Sequence, residues 1–429
     1  MFFPFLAPTC GRARAALAGL LLAAFSTAVL ASEGSLTLGQ AQRLAVLRSR
    51  QLAGIDSAVT ASRDMAVAAG QLPDPVLKLG VDNLPVSGGD RLSLTNDFMT
   101  MRRIGVAQEL TRSDKRHWRA EGYARTADKA AAEKVMATAA VERDTASAWL
   151  ERYYAQEIVK LVAEQAAQAK AELEAADGAY RGGRGSQADV LAARGALAMI
   201  ADRASDADRR LRSAKTTLAR WIGSDADLPL AGAPDTSAIP LEPARLDAQL
   251  AHHPQLTVLG RQEDIAQAEA KLAEAGRKAD WSVEVAFQQR GPAYSNMISV
   301  GVSVPLQWDR KNRQDRELAA KLARVDQAKA EREEAQRMHV AETEAMIGDW
   351  TSGRERIARY EHELLPLATA RTEAVLSAYR GGKATLADLL AARRNETEVR
   401  LQALQLQLDT ARLWAQLSFL VPNTNKDSQ

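Results

Sequence analysis

AYRGGRGSQADVLAAR at residues 179–194 and AYRGGKATLADLLAAR at residues 378–393 agree at 11 of 16 positions and start 199 residues apart. Unrelated stretches of ordinary composition match at roughly one position in such a window. The offset is too long for a solenoid unit, so the chain reads as two tandem halves of a duplicated unit. Each copy contains a pair of glycines, Gly182 and Gly183 or Gly381 and Gly382. Glycine adopts positive φ without steric cost and so can end a helix sharply.

Working outward, Ser113 to about Gly178 contains no proline, one internal glycine (Gly122) and a steady supply of Ala, Glu, Lys and Arg, all good helix formers apart from that glycine. At 1.5 Å per residue this is a helix of about 100 Å. Its partner runs from about Ser186 to Trp221. In the second half, Asp309 is placed to cap a helix reaching about Ala378, with a kink at Pro366, and a last helix runs from Thr385 to about Leu420. Within that helix Thr397, Leu401, Leu404, Leu408, Ala411 and Ala415 alternate spacings of four and three, the pattern of a coiled-coil seam.

Between the helices the period changes to two. Trp281, Val283, Val285 and Phe287 alternate with Ser282, Glu284, Ala286 and Gln288, and Ile298, Val300, Val302 and Val304 with Ser299, Gly301 and Ser303. These are strands, joined through GPAYS. Leu77, Leu79 and Val81, then Ile104, Val106 and Leu110, mark matching strands in the first half. Each half therefore reads helix, strand, strand, very long helix, turn, helix. The prolines at 229, 234, 240 and 243 mark the joint between halves.

Composition narrows the function. Residues 1–31 carry Arg12 and Arg14 ahead of an apolar run, Ala15 to Phe25, and small residues before Ser32. That is a secretory signal, and its run is shorter than the ~20 residues of a spanning helix. Cys10, the single cysteine, leaves with it, so the mature chain has no disulfide framework and no Cys-based metal site. Four of seven Phe also lie there, and the remainder is rich in Ala, Leu, Gln, Arg and Glu, which suits long helices with thin seams. A net charge of +2 gives no pointer to nucleic acid. No nucleophile with a base, carboxylate pair or cofactor motif marks an enzyme, and GGKAT lacks the spacing of a phosphate loop. His117, His252, His253, His339 and His362 show no metal-ligand spacing; His252 and His253 read as a surface helix cap. The basic runs RSDKRHW and DRKNR follow the second strand of each half and fit either anchoring to anionic lipid or a solvated helix start.

Four strands of about ten residues have the length of tilted membrane strands but cannot close a barrel, for which about eight are needed. Two readings follow: small sheets packed on helices, or a membrane barrel pooled from several copies. A secretory signal combined with helices too long for one compact domain favours the barrel.

The duplicated order of elements, and Tyr180, Gly183, Asp189 and Leu191 repeated as Tyr379, Gly382, Asp388 and Leu390, resemble the TolC family of outer-membrane efflux proteins over essentially the whole mature chain. LPDPVLKLGVDNLP (72–85) and DFMTMRRIGVAQELTRSDKR (97–116) further resemble its CzcC-like heavy-metal branch. The resemblance implies a mainly α fold with a β-barrel portion: a homotrimer forming a twelve-stranded barrel in the outer membrane, continued by a helical tunnel across the periplasm. It implies a passive exit duct, coupled through a periplasmic adaptor (membrane fusion) protein to an inner-membrane pump of the resistance-nodulation-division type, with heavy-metal cations as cargo, no cofactor and no catalysis. The expected divisions are a signal at 1–31, a first repeat at 32–228, a linker at 229–243, a second repeat at 244–420 and a tail at 421–429.

By the same resemblance, Tyr180, Arg181, Gly182, Gly183, Gly185 and Ser186, with Arg380, Gly381, Gly382, Lys383 and Thr385, are tips that dock the adaptor, although RGG also serves simply as a helix connection. Asp388 and Tyr379 are tunnel-gate candidates, and for Asp388, as for Asp189, helix capping is the competing role. A second aspartate found one turn later in some relatives is Ala391 here. Two alternatives stay open: a drug or protein and peptide duct of the same family, and a periplasmic coiled-coil adaptor or scaffold. Adaptors usually join several Gly- and Val-rich strands to one helical hairpin, whereas this chain has two hairpins and four strands.

Overall fold

The structure, a computed structural model, describes residues 35–420; the expected signal and the tail at 421–429 lie outside the described residues. The chain runs α1 (Leu38–Arg48), α2 (Arg50–Ala69), β1 (Val76–Asp82), β2 (Met101–Leu110), α3 (Ser113–Arg181), α4 (Gln187–Ile222), α5 (Leu246–Leu250), α6 (Pro254–Gly276), β3 (Trp281–Gln289), β4 (Met297–Ser303), α7 (Gln314–Arg359), α8 (Leu365–Arg380) and α9 (Leu386–Ser418). The two halves repeat the expected order. Ser49 separates α1 from α2 because its hydroxyl accepts the Leu52 N–H and caps the second helix.

α3 is one helix of 69 residues. Its counterpart is interrupted: a π turn at Tyr360–Leu364 joins α7 to α8, and the Leu365 N–H bonds the carbonyl of Tyr360, five residues back. Pro366 follows directly, and since proline has no N–H and its ring crowds the carbonyl four residues earlier, the wider π turn absorbs the conflict. The expected kink at Pro366 is thus a local change of helix type. Asp309 does not cap α7 as expected. It closes the preceding turn, accepting from Asn312 N and Nδ2 at 3.4 and 2.9 Å, while Arg313 holds the cap position without a side-chain bond.

The main core lies around the middle of the long helices. Trp149, Leu150, Leu218 and Ala415 are fully buried there, and Trp149 Nε1 donates to the Leu36 carbonyl at 3.1 Å. Alanines such as Ala127, Ala139, Ala146 and Ala176 fill the seams of α3, so neighbouring helices approach closely with little side-chain volume between them. Of the expected α9 seam Thr397, Leu408, Ala411 and Ala415 are buried while Leu401 and Leu404 are half-buried; a second buried stripe of Ala403, Leu406, Thr410 and Leu417 faces elsewhere. α9 packs on α3, α7 and α8; Leu408, Ala411 and Ala415 lie with Trp149 of α3, and Leu417 with Trp350 of α7.

The proline-bearing joint is docked on the helices. Leu36 bridges Leu230 in parallel, and Leu241 is buried with Leu246, Leu250, Trp350 and Leu417. His253 departs from the sequence reading. It does cap α6, its Nδ1 accepting from Gln255 N at 3.3 Å, but it is 9% exposed and packed against the His339 ring, tilted 42° to it, rather than lying at the surface.

Candidate functional site: helical tips and a one-sided sheet

Both turns use the same hydrogen bonds. In the first, Arg184 N donates to Ala179 O at 2.9 Å and Gly183 N to Tyr180 O at 3.0 Å; in the second, Lys383 N donates to Ala378 O at 2.8 Å and Gly382 N to Tyr379 O at 3.0 Å. This is a Schellman closure, which needs a left-handed residue just past the helix. Gly183 (φ 70°) and Gly382 (φ 72°) supply it, whereas Gly182 and Gly381 keep negative φ near −80°. Of each expected glycine pair, only the second takes the left-handed conformation.

The returning helices are capped alike. Ser186 Oγ accepts from Asp189 N at 3.2 Å while Asp189 Oδ2 accepts from Ser186 N at 2.9 Å. Thr385 and Asp388 repeat the box at 3.2 and 2.9 Å. The Thr385 hydroxyl and then its backbone N–H hold the Asp388 carboxyl below the usual carboxylate range; for Asp189 the Ser186 N–H leads and the hydroxyl follows. Both aspartates are therefore ionised caps within one chain.

Tyr180, Arg181, Gly182, Gly183, Ser186, Arg380, Gly381, Gly382, Lys383 and Thr385 are all exposed, and Gly185 partly so. Arg181 is tied to Asp177 at 2.6 Å. Tyr379 is instead half-buried against Ala176, Val190, Ala193, Leu386 and Leu389, so the two hairpins share one small apolar cluster. Among the described residues no hydrogen bond joins Tyr379 to Asp388.

A further tie escaped the sequence reading. Arg393 reaches Glu172 at 3.2 Å and Glu396 at 3.6 Å, and Arg400 reaches Glu396 at 2.6 Å. Burial pushes the Glu172 carboxyl up, against the pull of Arg393. The Arg393–Glu396–Arg400 spacing of three and four is readable on a helix. Glu172, 221 residues away from its partner, is not.

About 100 Å of α3 separates these tips from the sheet. All four strands pair antiparallel in the order β1-β2-β3-β4. The register sets Leu77, Val106, Val285 and Val300 in one row and Leu79, Ile104, Phe287 and Ile298 in the next. These eight side chains are between 43 and 74% exposed. Keeping such a side chain in water forgoes about 1.5–3 kcal/mol each, a heavy load for domains stable by about 5–15 kcal/mol. The opposite face is polar: Lys78 pairs with Glu284 at 2.5 Å, and Arg103 with Asp82 at 3.3 Å and Glu284 at 3.5 Å. On that face Gly105 lies so close to its neighbour that a Cβ there would sit 2.8 Å from Ala286 Cβ. In the single chain this apolar face is bare, which counts against the alternative reading of a small sheet packed on helices. No helix among the described residues is long and apolar enough to cross a membrane.

Solved structures share this fold. The outer-membrane channel OprN superposes with a TM-score of 0.75 at 19% identity, over 90% of this chain and 90% of that one. The outer-membrane protein VceC of Vibrio cholerae gives 0.72 at 17% identity, over 90% and 96%. CusC, described for transmembrane channel formation, gives 0.71 at 15% identity, over 89% and 91%. No protein-family model matches the chain, and no curated protein matches it significantly. At these identities the likeness is one of fold, and that fold is the outer-membrane channel fold.

Proposed function

We propose that the chain is the outer-membrane exit duct of a tripartite efflux system. The observation that carries this is the one-sided sheet, apolar and bare on one face and ion-paired on the other, at the end of helices about 100 Å long. In this reading three copies pool their strands into a twelve-stranded barrel, the polar face lines the lumen and the paired repeats (32–228 and 244–420) continue as a periplasmic tunnel. The exposed tips dock a periplasmic adaptor, which links the duct to an inner-membrane pump of the resistance-nodulation-division type. Asp388 contributes one carboxylate per chain to a ring at the constricted end. Heavy-metal cations are the proposed cargo, on the resemblance of residues 72–85 and 97–116 to the CzcC-like branch. Among the described residues no group of three His, Cys, Asp or Glu is arranged to hold a metal ion.

The adaptor alternative is disfavoured by the channel-fold likeness over about nine-tenths of the chain. The test is twofold. Detergent-extracted protein from the outer-membrane fraction should be a heat-modifiable trimer by light scattering, and a folded monomer overturns the duct. Deleting the gene should sensitise cells to one or more of zinc, cobalt, cadmium, nickel or copper; sensitivity to drugs alone moves the cargo and leaves the duct standing.

A further inference from the structure

We propose that the junction between β4 and α7 is a binding surface for anionic phospholipid headgroups. The inference rests on the barrel reading and adds a ligand class to it. The β4 alternation does not stop where the ladder ends at Ser303: Val302, Val304, Leu306 and Trp308 continue it, all exposed, with Leu306 at 66% and Trp308 at 88%. Trp281, opposite Leu110 in the register, is exposed at the same end. Indole combines an apolar body with an N–H and settles where hydrocarbon meets water.

The loop carrying these groups is held in place. Gln307 Nε2 donates to Gly276 O at 3.2 Å, Asn312 Nδ2 to Asp309 Oδ1 at 2.9 Å, and Arg313 N to Asp309 O at 3.2 Å. Charge follows at once. Arg310 pairs with Asp315 at 3.4 Å; the side chains of Lys311 and Arg313 are exposed and have no partner among the described residues.

The two ends of the sheet differ. At the helix end, residues 70–75, 111–119, 276–280 and 304–315 carry nine Arg and Lys against five Asp, while loops 83–100 and 290–296 at the far end carry two against two. An apolar band bordered by tryptophan and then by unpaired cations matches acyl chain, interface and phosphate in that order. A free phosphate would leave Leu306 and Trp308 uncovered, which is why the occupant is a phospholipid.

The test uses the full-length chain, wild type and Lys311→Gln/Arg313→Gln, reconstituted in phosphatidylcholine bilayers with trace spin-labelled phosphatidylglycerol or phosphatidylcholine. Each basic side chain near such a surface is worth roughly a fivefold preference. Wild type should therefore hold phosphatidylglycerol several-fold more strongly, the double variant should fall towards equal affinity, and 1 M salt should erase the difference. Both substituted side chains are exposed and unpaired, so trimer and fold should be unchanged. Equal preference in wild type and variant overturns the proposal, as does loss of the preference on adding inorganic phosphate at matched ionic strength. If neither labelled lipid is motionally restricted by the protein, the barrel reading itself fails, which is a separate result.

Discussion

Lowering the pH should destabilise the middle of the molecule through one histidine. His253 starts α6, faces His339 of α7 at 4.6 Å between ring centroids, and has Arg143 of α3 nearby; His339 is 2.9 Å from Gln255 Oε1 and 3.8 Å from Glu342. Burial first, then the charges of His339 and Arg143, lower its pKa from 6.5 to about 4. The folded protein thus keeps this imidazole neutral where an unfolded chain would protonate it. Because the unfolded state binds the extra proton, the stability contributed is complete above pH 6.5 and declines as pH falls from 6.5 towards about 4. At 1.36 kcal/mol for each factor of ten, the full effect is about 3 kcal/mol.

The assay is urea unfolding followed at pH 7.5 and 4.5 for wild type and His253→Asn. Asparagine keeps an acceptor for the Gln255 N–H and caps well, yet does not titrate. The variant starts lower through lost packing, so the diagnostic is the change with pH, which should be smaller in the variant by about 2 to 3 kcal/mol. Equal pH dependence in the two proteins would refute the argument.

Gly183→Val and Gly382→Val should each lower thermal stability by about 1–2 kcal/mol, the cost of left-handed backbone for a side chain, while Gly182→Val and Gly381→Val cost less; similar losses at all four positions would refute the turn assignment. Gly105→Val should block heat-modifiable assembly because its side chain meets Ala286 and the Val285 carbonyl, whereas Gly301→Val, with open space around it, should assemble. Equal assembly of the two would show that the close approach has no consequence. In planar bilayers Asp388→Asn should reduce cation selectivity and block by multivalent cations, with Asp189→Asn as the control; unchanged conductance, selectivity and block leave Asp388 as a cap only.

Much of the architecture was legible in the residues. The 199-residue offset between matching turns, proline-free stretches and period-two runs each depend on local geometry, where neighbours in sequence are neighbours in space. The caps at Ser186 and Thr385 are legible for the same reason, since every bond of the box spans three residues. Local preference also left ambiguities. Either glycine of a pair tolerates positive φ, and only the closing hydrogen bonds select Gly183 and Gly382. Pro366 announces a conflict but not its resolution as a π turn over Tyr360–Leu364.

What the sequence determined by itself was the repeat, the element types and their lengths, because these follow from backbone propensity and the period of apolar residues. The tertiary structure decided the rest: the second stripe of α9, the burial of His253, the tie from Arg393 to Glu172 and the register that gathers the apolar side chains of all four strands onto one bare face. Those contacts join separate segments, from Phe287 opposite Ile298 within one hairpin to Arg393 on Glu172, 221 residues away, and their free energy depends on relative placement. Only packing sets that placement, because burial and ion pairing act between surfaces that no single stretch of sequence contains.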